Sequence, residues 1–204
     1  MSTKLIYRNP LLYELIMRLL YGRHYQSRSR VIADLIEPGS SVLDLCCGSG
    51  LLYQRYLREK NVDYTGLDVS RPFVETLNKQ GVRAIEWDLD SAAALPRADY
   101  VIMQSSLCYF LPDPSPVIDR MLDAANKAVI IAEPIRNLST SNLPLVASVA
   151  VKLSGPGGGH SQRFNEKSLD VLFAAYSSRL RRSFKIPGGR EKVYLLNGSR
   201  PGVS

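Results

Sequence analysis

The stretch from Ser41 to Ser70 limits the possible fold more than any other part of the chain. Val42, Leu43 and Leu45 form a short apolar run that stops at Cys46-Cys47-Gly48-Ser49-Gly50. Helix-forming residues follow in LLYQRYLREK, and a second short run, DYTGLD, closes on Asp68. This order reads as strand, tight turn, helix and strand. The glycines stand where backbone must bend sharply and approach a ligand closely. An acidic side chain ending the second strand of such a unit is the outline of a ribose-hydroxyl site in a doubly wound sheet, because one carboxylate accepts from two hydroxyls.

A chain of 204 residues with 45% apolar side chains can bury one sizeable core, so a single domain over residues 1–204 is expected. Lys and Arg number 26 against 19 Asp and Glu, a net charge of +7 that favours anionic partners without naming one. The basic residues gather towards the ends, as Arg18, Arg23, Arg28 and Arg30, then Arg179, Arg181, Arg182, Lys185, Arg190 and Lys192. If the ends meet they form one basic rim; otherwise they are solvated faces. Three cysteines, Cys46, Cys47 and Cys108, make no disulfide framework, and with His24 and His160 as the imidazoles no zinc-type spacing arises. A reducing, cytoplasmic setting without a metal is the expectation. Residues 1–22 are interrupted by Asn9-Pro10 and Glu14 and do not read as a signal peptide, and no apolar run reaches membrane-spanning length.

Leu11, Leu12, Leu15, Ile16, Leu19 and Leu20 recur at spacings of three and four, predicting an amphipathic helix over 10–21 that Gly22 ends. Ser27 or Ser29 is positioned to cap a second helix carrying Val31, Ile32, Leu35 and Ile36. Together these make a helical cap over residues 1–37. Between them, YGRHYQSRSR reads either as a helix-helix turn with snorkelling arginines or as a source of ligand-covering groups. On the second reading Tyr21, Tyr25, Arg23 and Arg28 cover a ligand or hold a carboxylate.

VLDLCCGSG resembles the first motif of the class I S-adenosylmethionine-dependent methyltransferases, acidic-x-Gly-x-Gly-x-Gly. Asp44, Gly48 and Gly50 match, and Cys46 stands at the first glycine position. The resemblance implies that Asp44 fixes the loop and the amino end of the cofactor's methionine, with Cys46, Gly48, Ser49 and Gly50 alongside. Asp68, eighteen residues after Gly50, would take the ribose, and Val69 would border the adenine. In VRAIEWDLDSA, Asp88 would reach the adenine amine with Leu89 beside it; Asp90 is the competing acid, and Trp87 packs near the base or in the core. Gln104 or Ser105 would bond near the cofactor, and Tyr25 would cover it. The implied fold, matched over about residues 27–197, is α/β: a doubly wound, Rossmann-like, seven-stranded and mostly parallel sheet ending in an antiparallel hairpin. A nicotinamide dehydrogenase shares the opening unit, but Gly48-x-Gly50 is not a full GxGxxG and the later motifs follow the methyltransferase order.

Further on, a helix over 114–126 leads to AVIIAE, a strand over 128–133 ending in Glu133. Strand carboxyl ends line the crevice of such a sheet, which makes Glu133 and Tyr109 candidates for the substrate side, or else a strand-ending turn and a packed lid. Residues 136–164 are long for a connection and read as an insert on that side, with LPLVASVAVKL as an apolar wall, Gly157, Gly158 and Gly159 as a hinge, and His160 and Arg163 as its polar groups. A helix over 166–175 and two basic, alternating strands around Pro187-Gly188-Gly189 complete the chain.

The implied reaction is methyl transfer from S-adenosylmethionine, leaving S-adenosylhomocysteine, to a small-molecule or lipid-like acceptor that attacks in line. Tyr109, Glu133 or His160 would orient the acceptor or take its proton. The family's Asn/Asp-Pro-Pro-Tyr/Phe signature for attack by base amines is replaced by Gln104-Ser105-Ser106-Leu107, which disfavours a DNA base. The alternatives are an RNA methyltransferase and a non-catalytic, cofactor-binding partner protein.

Overall fold

Near-continuous burial along the central strands reflects a sheet covered on both faces. In a computed structural model describing residues 24–91, 93–135 and 163–199, the strands are β1 (Ser41–Leu45), β2 (Asp63–Asp68), β3 (Ala84–Glu86), β4 (Ala98–Gln104), β5 (Ala125–Pro134), β6 (Leu180–Lys185) and β7 (Glu191–Asn197). They form one seven-stranded sheet in the order β3-β2-β1-β4-β5-β7-β6. The first five run parallel, and β7 pairs antiparallel with both β5 and β6. The expected seven-stranded fold with a terminal hairpin is therefore present, with the second hairpin strand inserted beside β5.

Helix α1 (His24–Ala33) and α2 (Arg71–Lys79) cover the face that buries Val42, Ile102 and Ile130. On the other face α3 (Ser115–Ala124) and α4 (Glu166–Ala174) cover Leu43, Leu45, Val101, Met103, Val129 and Ile131. Each helix presents the stripe its sequence dictates: Val74 and Leu77 in α2, Val117, Ile118, Met121 and Leu122 in α3, Leu169 and Phe173 in α4. Asn165 starts α4 with a capping box shared with Ser168. Gln104 belongs to β4, and β5 runs three residues upstream of Ala128, so both strands are longer than their apolar runs alone indicate.

Three expectations need correction. Ser27 and Ser29 do not cap α1; the helix already covers His24 onward, and Ser29 is buried within it, so the seven residues HYQSRSR of that stretch are helix rather than turn. The segment after the glycine turn is helical but not regularly α: it winds as a π-helix over Tyr53–Leu57 and tightens to 3₁₀ over Arg58–Lys60. Lys192 is not on a solvated face. Its Nζ lies 2.7 Å from Asp170 Oδ1 and 3.4 Å from Glu166 Oε1, and the side chain is 11% exposed. Residues 10–21, the apolar wall, the triple-glycine hinge and His160 lie outside the described residues, so the cap over 1–37 is seen only from His24 onward and the insert only at Arg163 and Phe164. Phe164 is buried in the core.

The glycine turn shows what its backbone requires. Gly48 and Gly50 have φ of 55° and 68°, and Cys46, at the family's first glycine position, also adopts a left-handed φ of 55°. That conformation costs an L-residue about 1 kcal/mol, so Cys46 is a strained substitute for glycine rather than a neutral one. A methyl group on Gly50 would meet Leu77 Cδ2 at 2.6 Å, whereas one on Gly48 meets nothing within 4 Å. Gly50→Ala is expected to lose about 2–3 kcal/mol of stability and Gly48→Ala only about 1 kcal/mol. Denaturant unfolding of both variants checks this; equal losses would contradict the packing role of Gly50.

Candidate functional site

Parallel register brings the proposed cofactor residues together. Asp44 pairs with Gly66, and Leu45 with Leu67, so β1 and β2 end side by side with Asp68 next to the glycine turn. Asp68 Oδ2 accepts the Gly48 N–H at 2.8 Å and Oδ1 accepts the Ser70 N–H at 2.8 Å. The carboxylate thereby ties the first turn to the loop after β2, and each oxygen keeps a lone pair for a ligand hydroxyl. Asp44 lies below, buried, with Oδ2 accepting the Tyr64 hydroxyl proton at 2.9 Å. Tyr53 stacks on Tyr64 at 4.5 Å between ring centroids and fixes that partner.

Above these strand ends opens a cavity of about 1020 Å³. Its wall includes Asp44, Cys46, Gly48, Ser49, Asp68, Val69, Asp88, Leu89 and Gln104, all singled out from sequence, together with Tyr109. Asp90, the competing acid, and Trp87 are also on the wall, and Trp87 packs on the core as well. Asp88 Oδ1 accepts the Asp90 N–H at 2.9 Å, while Arg120 of α3 holds the Leu89 carbonyl at 2.6 Å and so fixes this loop from behind. The sequence reading omitted Phe73, Phe110 and Ser106 from the wall. Phe73 carries no signal there beyond its place in an amphipathic helix.

Not every candidate reaches the cavity. Gly50 packs against Leu77 behind the turn and is not on the wall. Glu133 is buried beneath the 3₁₀ turn Leu107–Phe110, where its Oε2 accepts the Leu107 N–H at 3.1 Å. It supports the turn that carries Tyr109 and is absent from the wall. Tyr109, by contrast, is 66% exposed on the rim, so the reading in which it packs a lid onto the core does not hold. The backbone of Tyr25 lies in α1; its side chain and all of His160 fall outside the described residues. Arg28 is neither a solvated arginine nor part of a basic rim: it is buried, lies on the cavity wall and contacts Ser105 and Glu191.

Burial gives this floor an acid-rich, poorly solvated character. Desolvation pushes the Asp44 carboxyl up to about 7, opposed by the Tyr64 hydrogen bond and reinforced by the Asp68 charge. Burial also raises Asp68, against the two backbone N–H groups that favour its anion, and lifts Glu133 to about 7. The Cys46 thiol goes up to about 12, chiefly by desolvation, which makes it an inert packing group. A cation entering the cavity favours the ionised forms of Asp44 and Asp68, which line it. Among the described residues, no group of three or more His, Cys, Asp and Glu side chains is placed to hold a metal ion, and no helix is long and apolar enough to cross a membrane.

The strand order, the glycine turn and Asp68 at the end of β2 are those of the class I S-adenosylmethionine-dependent methyltransferase fold. The chain belongs to the family described as methionine biosynthesis protein MetW, whose model matches residues 26–139, more than half its length. No curated protein matches it. Solved structures share the fold at low identity. Magnesium protoporphyrin IX methyltransferase from Synechocystis PCC 6803, with bound S-adenosylhomocysteine, is 17% identical at a TM-score of 0.62, over 90% of this chain and 93% of that one. The plantazolicin methyltransferase BpumL, also in complex with S-adenosylhomocysteine, is 17% identical at 0.66, over 96% and 90%. The [4+2]-cyclase SpnF is 15% identical at 0.63, over 88% and 82%.

The raised Asp44 carboxyl sets a pH dependence with a definite sign. Between about 3.8 and about 7 the folded chain holds a proton that the unfolded chain has released, so this group's contribution to stability falls as pH rises through that window. Asp44→Asn removes this titration. Relative to wild type the variant is expected to gain stability between pH 4 and 7, by up to about 4 kcal/mol. Urea unfolding at a series of pH values checks it; a difference independent of pH would contradict the assignment.

Proposed function

We propose that the protein transfers the methyl group of S-adenosylmethionine to a small-molecule acceptor admitted beside Tyr109 and Phe110. The observation that carries this reading is Asp68, held by the Gly48 and Ser70 amides at the end of β2 with its oxygens on the cavity wall. Asp68 would bind the ribose hydroxyls, Asp44 would face the charged amino end, and Val69, Leu89 and Asp88 would hold the adenine. When bound, the cofactor supplies an electrophilic methyl group on a positively charged sulfur.

The rest of the chemistry is positioning. In-line attack needs an oriented nucleophile in a dry site, and Leu51, Leu52, Phe73 and Phe110 give the wall an apolar component suited to that. Tyr109 on the rim is placed to orient the acceptor. Glu133 would act through the turn it supports, as a positioning group rather than a base, because its carboxyl lies under the backbone of Leu107. His160 remains a candidate acceptor contact from the insert, and the apolar character of that insert suits a lipid-like acceptor.

An RNA acceptor is less well supported. The basic residues that would bind phosphates are partly committed elsewhere: Arg28 to Ser105 and Glu191, Arg179 to the Gly198 carbonyl, Lys185 to Glu166 and Lys192 to Asp170. The family's description in methionine biosynthesis also favours a small acceptor. SpnF is described as a cyclase, so this fold also carries chemistry other than methyl transfer, and transfer has to be measured directly.

Calorimetric titration with S-adenosylhomocysteine is expected to show binding to wild type that Asp68→Ala weakens at least about tenfold. Incubation with methyl-labelled S-adenosylmethionine and fractionated cell extract is expected to label the small-molecule fraction. Label confined to RNA would overturn the acceptor class, and unchanged binding in Asp68→Ala would overturn the site.

A further inference from the structure

The loop between β3 and β4 carries Asp88 and Leu89 to the cavity wall and has few ties to the rest of the fold. Its main chain leaves β2 where the Trp87 N–H donates to the Asp68 carbonyl at 3.0 Å. Beyond that point the loop bonds to itself. Asp88 Oδ1 accepts the Asp90 N–H, and the Asp88 carbonyl accepts from both the N–H and the hydroxyl of Ser91. Between Asp88 and Arg97, the hydrogen bonds that reach another element among the described residues come from one side chain, Arg120 of α3. Nη1 donates to the Leu89 carbonyl and Nη2 to the Ala93 carbonyl, each at 2.6 Å.

This contact is a clasp rather than a surface ion pair. Arg120 takes part in none of the ion pairs among the described residues, and its Nε is buried without an acceptor. Both ends of the fork therefore serve the loop, and two carbonyls that lie outside the strand pairings are held by a cation. The helix beneath is a rigid base, since Val117, Ile118, Met121 and Leu122 are buried in the core. Leu89 and Leu95 are buried in the same cluster, so the loop has two apolar feet as well as the clasp. Apolar contacts set how deep a loop sits, whereas two directional bonds to one planar group fix how its backbone is turned. What they turn is Asp88, one residue before the first clasped carbonyl. Its Oδ1 is committed to the Asp90 N–H, which leaves Oδ2 as the oxygen for a ligand amine.

We propose that Arg120 is a positioning residue for base recognition: by clasping the Leu89 and Ala93 carbonyls it holds Asp88 where the carboxylate tells an aminopurine from an oxopurine. The proposal rests on the cofactor reading of the cavity, in which Asp88 meets the adenine. Arg120 is not on the cavity wall, so it acts through the loop and not on the ligand. A carboxylate fixed opposite the exocyclic amine of adenine accepts its proton; opposite the carbonyl of hypoxanthine it meets a second acceptor and is repelled. A carboxylate on a released loop swings to the neighbouring ring N–H of hypoxanthine instead, and the discrimination collapses.

The test titrates full-length wild type, Arg120→Met and Arg120→Lys calorimetrically with S-adenosylhomocysteine, with its inosine analogue, in which oxygen replaces the exocyclic amine, and with its 2′-deoxy analogue. Wild type is expected to bind S-adenosylhomocysteine at least about tenfold more tightly than the inosine analogue. In Arg120→Met that preference falls below about threefold, while the preference over the 2′-deoxy analogue, set at Asp68, stays within about twofold of wild type. Arg120→Lys, whose ammonium lacks the planar fork, lies between. A loss of packing alone lowers the thermal midpoint or weakens all three ligands together and leaves both preferences unchanged. An unchanged preference for adenine in Arg120→Met overturns the proposal, as does a parallel fall of both preferences, a folded variant that loses all three ligands, or a wild type that binds the adenine and inosine forms alike. Circular dichroism checks folding, and Arg120→Lys carries the same comparison should Arg120→Met not fold. Wild type that binds none of the three ligands sinks the cofactor reading, and the proposal with it.

Discussion

Asp68 accepting the Gly48 amide proton is the contact on which the site depends. It joins the end of β2 to the turn after β1 across 2.8 Å, and the Ser70 amide fixes its second oxygen. Nothing in the local sequence forces these groups to meet; parallel pairing of β1 with β2, from Ser41 opposite Asp63 to Leu45 opposite Leu67, does so. The helices that cover both sheet faces hold that register, because a one-residue slip would turn Val42 and Leu43 to the wrong faces. Packing far from the cavity thus determines whether the Asp68 carboxylate is correctly placed on its wall.

Most of the cofactor half was legible because its residues carry strong local signals. A run of apolar residues, a left-handed turn and a strand-end acid occur in fixed order along the chain, and β1, β2 and the glycine turn follow them closely. Cys46 shows the limit of reading by residue type: its φ of 55° keeps the glycine geometry although its side chain departs from the motif. Long-range pairings were much harder to see. Tyr64 below Asp44, Glu191 beside Arg28 and Asp170 around Lys192 are separated in sequence by 20, 163 and 22 residues, and no periodicity marks such partners. Arg28 could be read either as a snorkelling arginine or as a carboxylate holder, and only the fold removes it from the solvated surface. Glu133 was legible as a strand-end acid, but its concealment beneath Leu107 depends on how the following 3₁₀ turn folds back.

The electrostatic design is a floor of acids whose charged forms are penalised by burial. Asp44 is pushed up to about 7, and Asp68 is raised as well. Burial disfavours the ionised forms of these groups at neutral pH, and a cationic ligand favours them. Arg28 breaks the pattern at one end, so the wall is polarised along its length rather than uniformly negative.

The most direct test of this account is the number of protons exchanged when ligand binds. Calorimetric titrations at pH 6.5 in buffers of different ionisation enthalpy give that number for S-adenosylmethionine and for S-adenosylhomocysteine, which differ in the positive charge on sulfur. If the buried acids are poised for a cation, S-adenosylmethionine releases measurably more proton than S-adenosylhomocysteine, and the difference shrinks in Asp44→Asn. Identical proton release for the two ligands would contradict it.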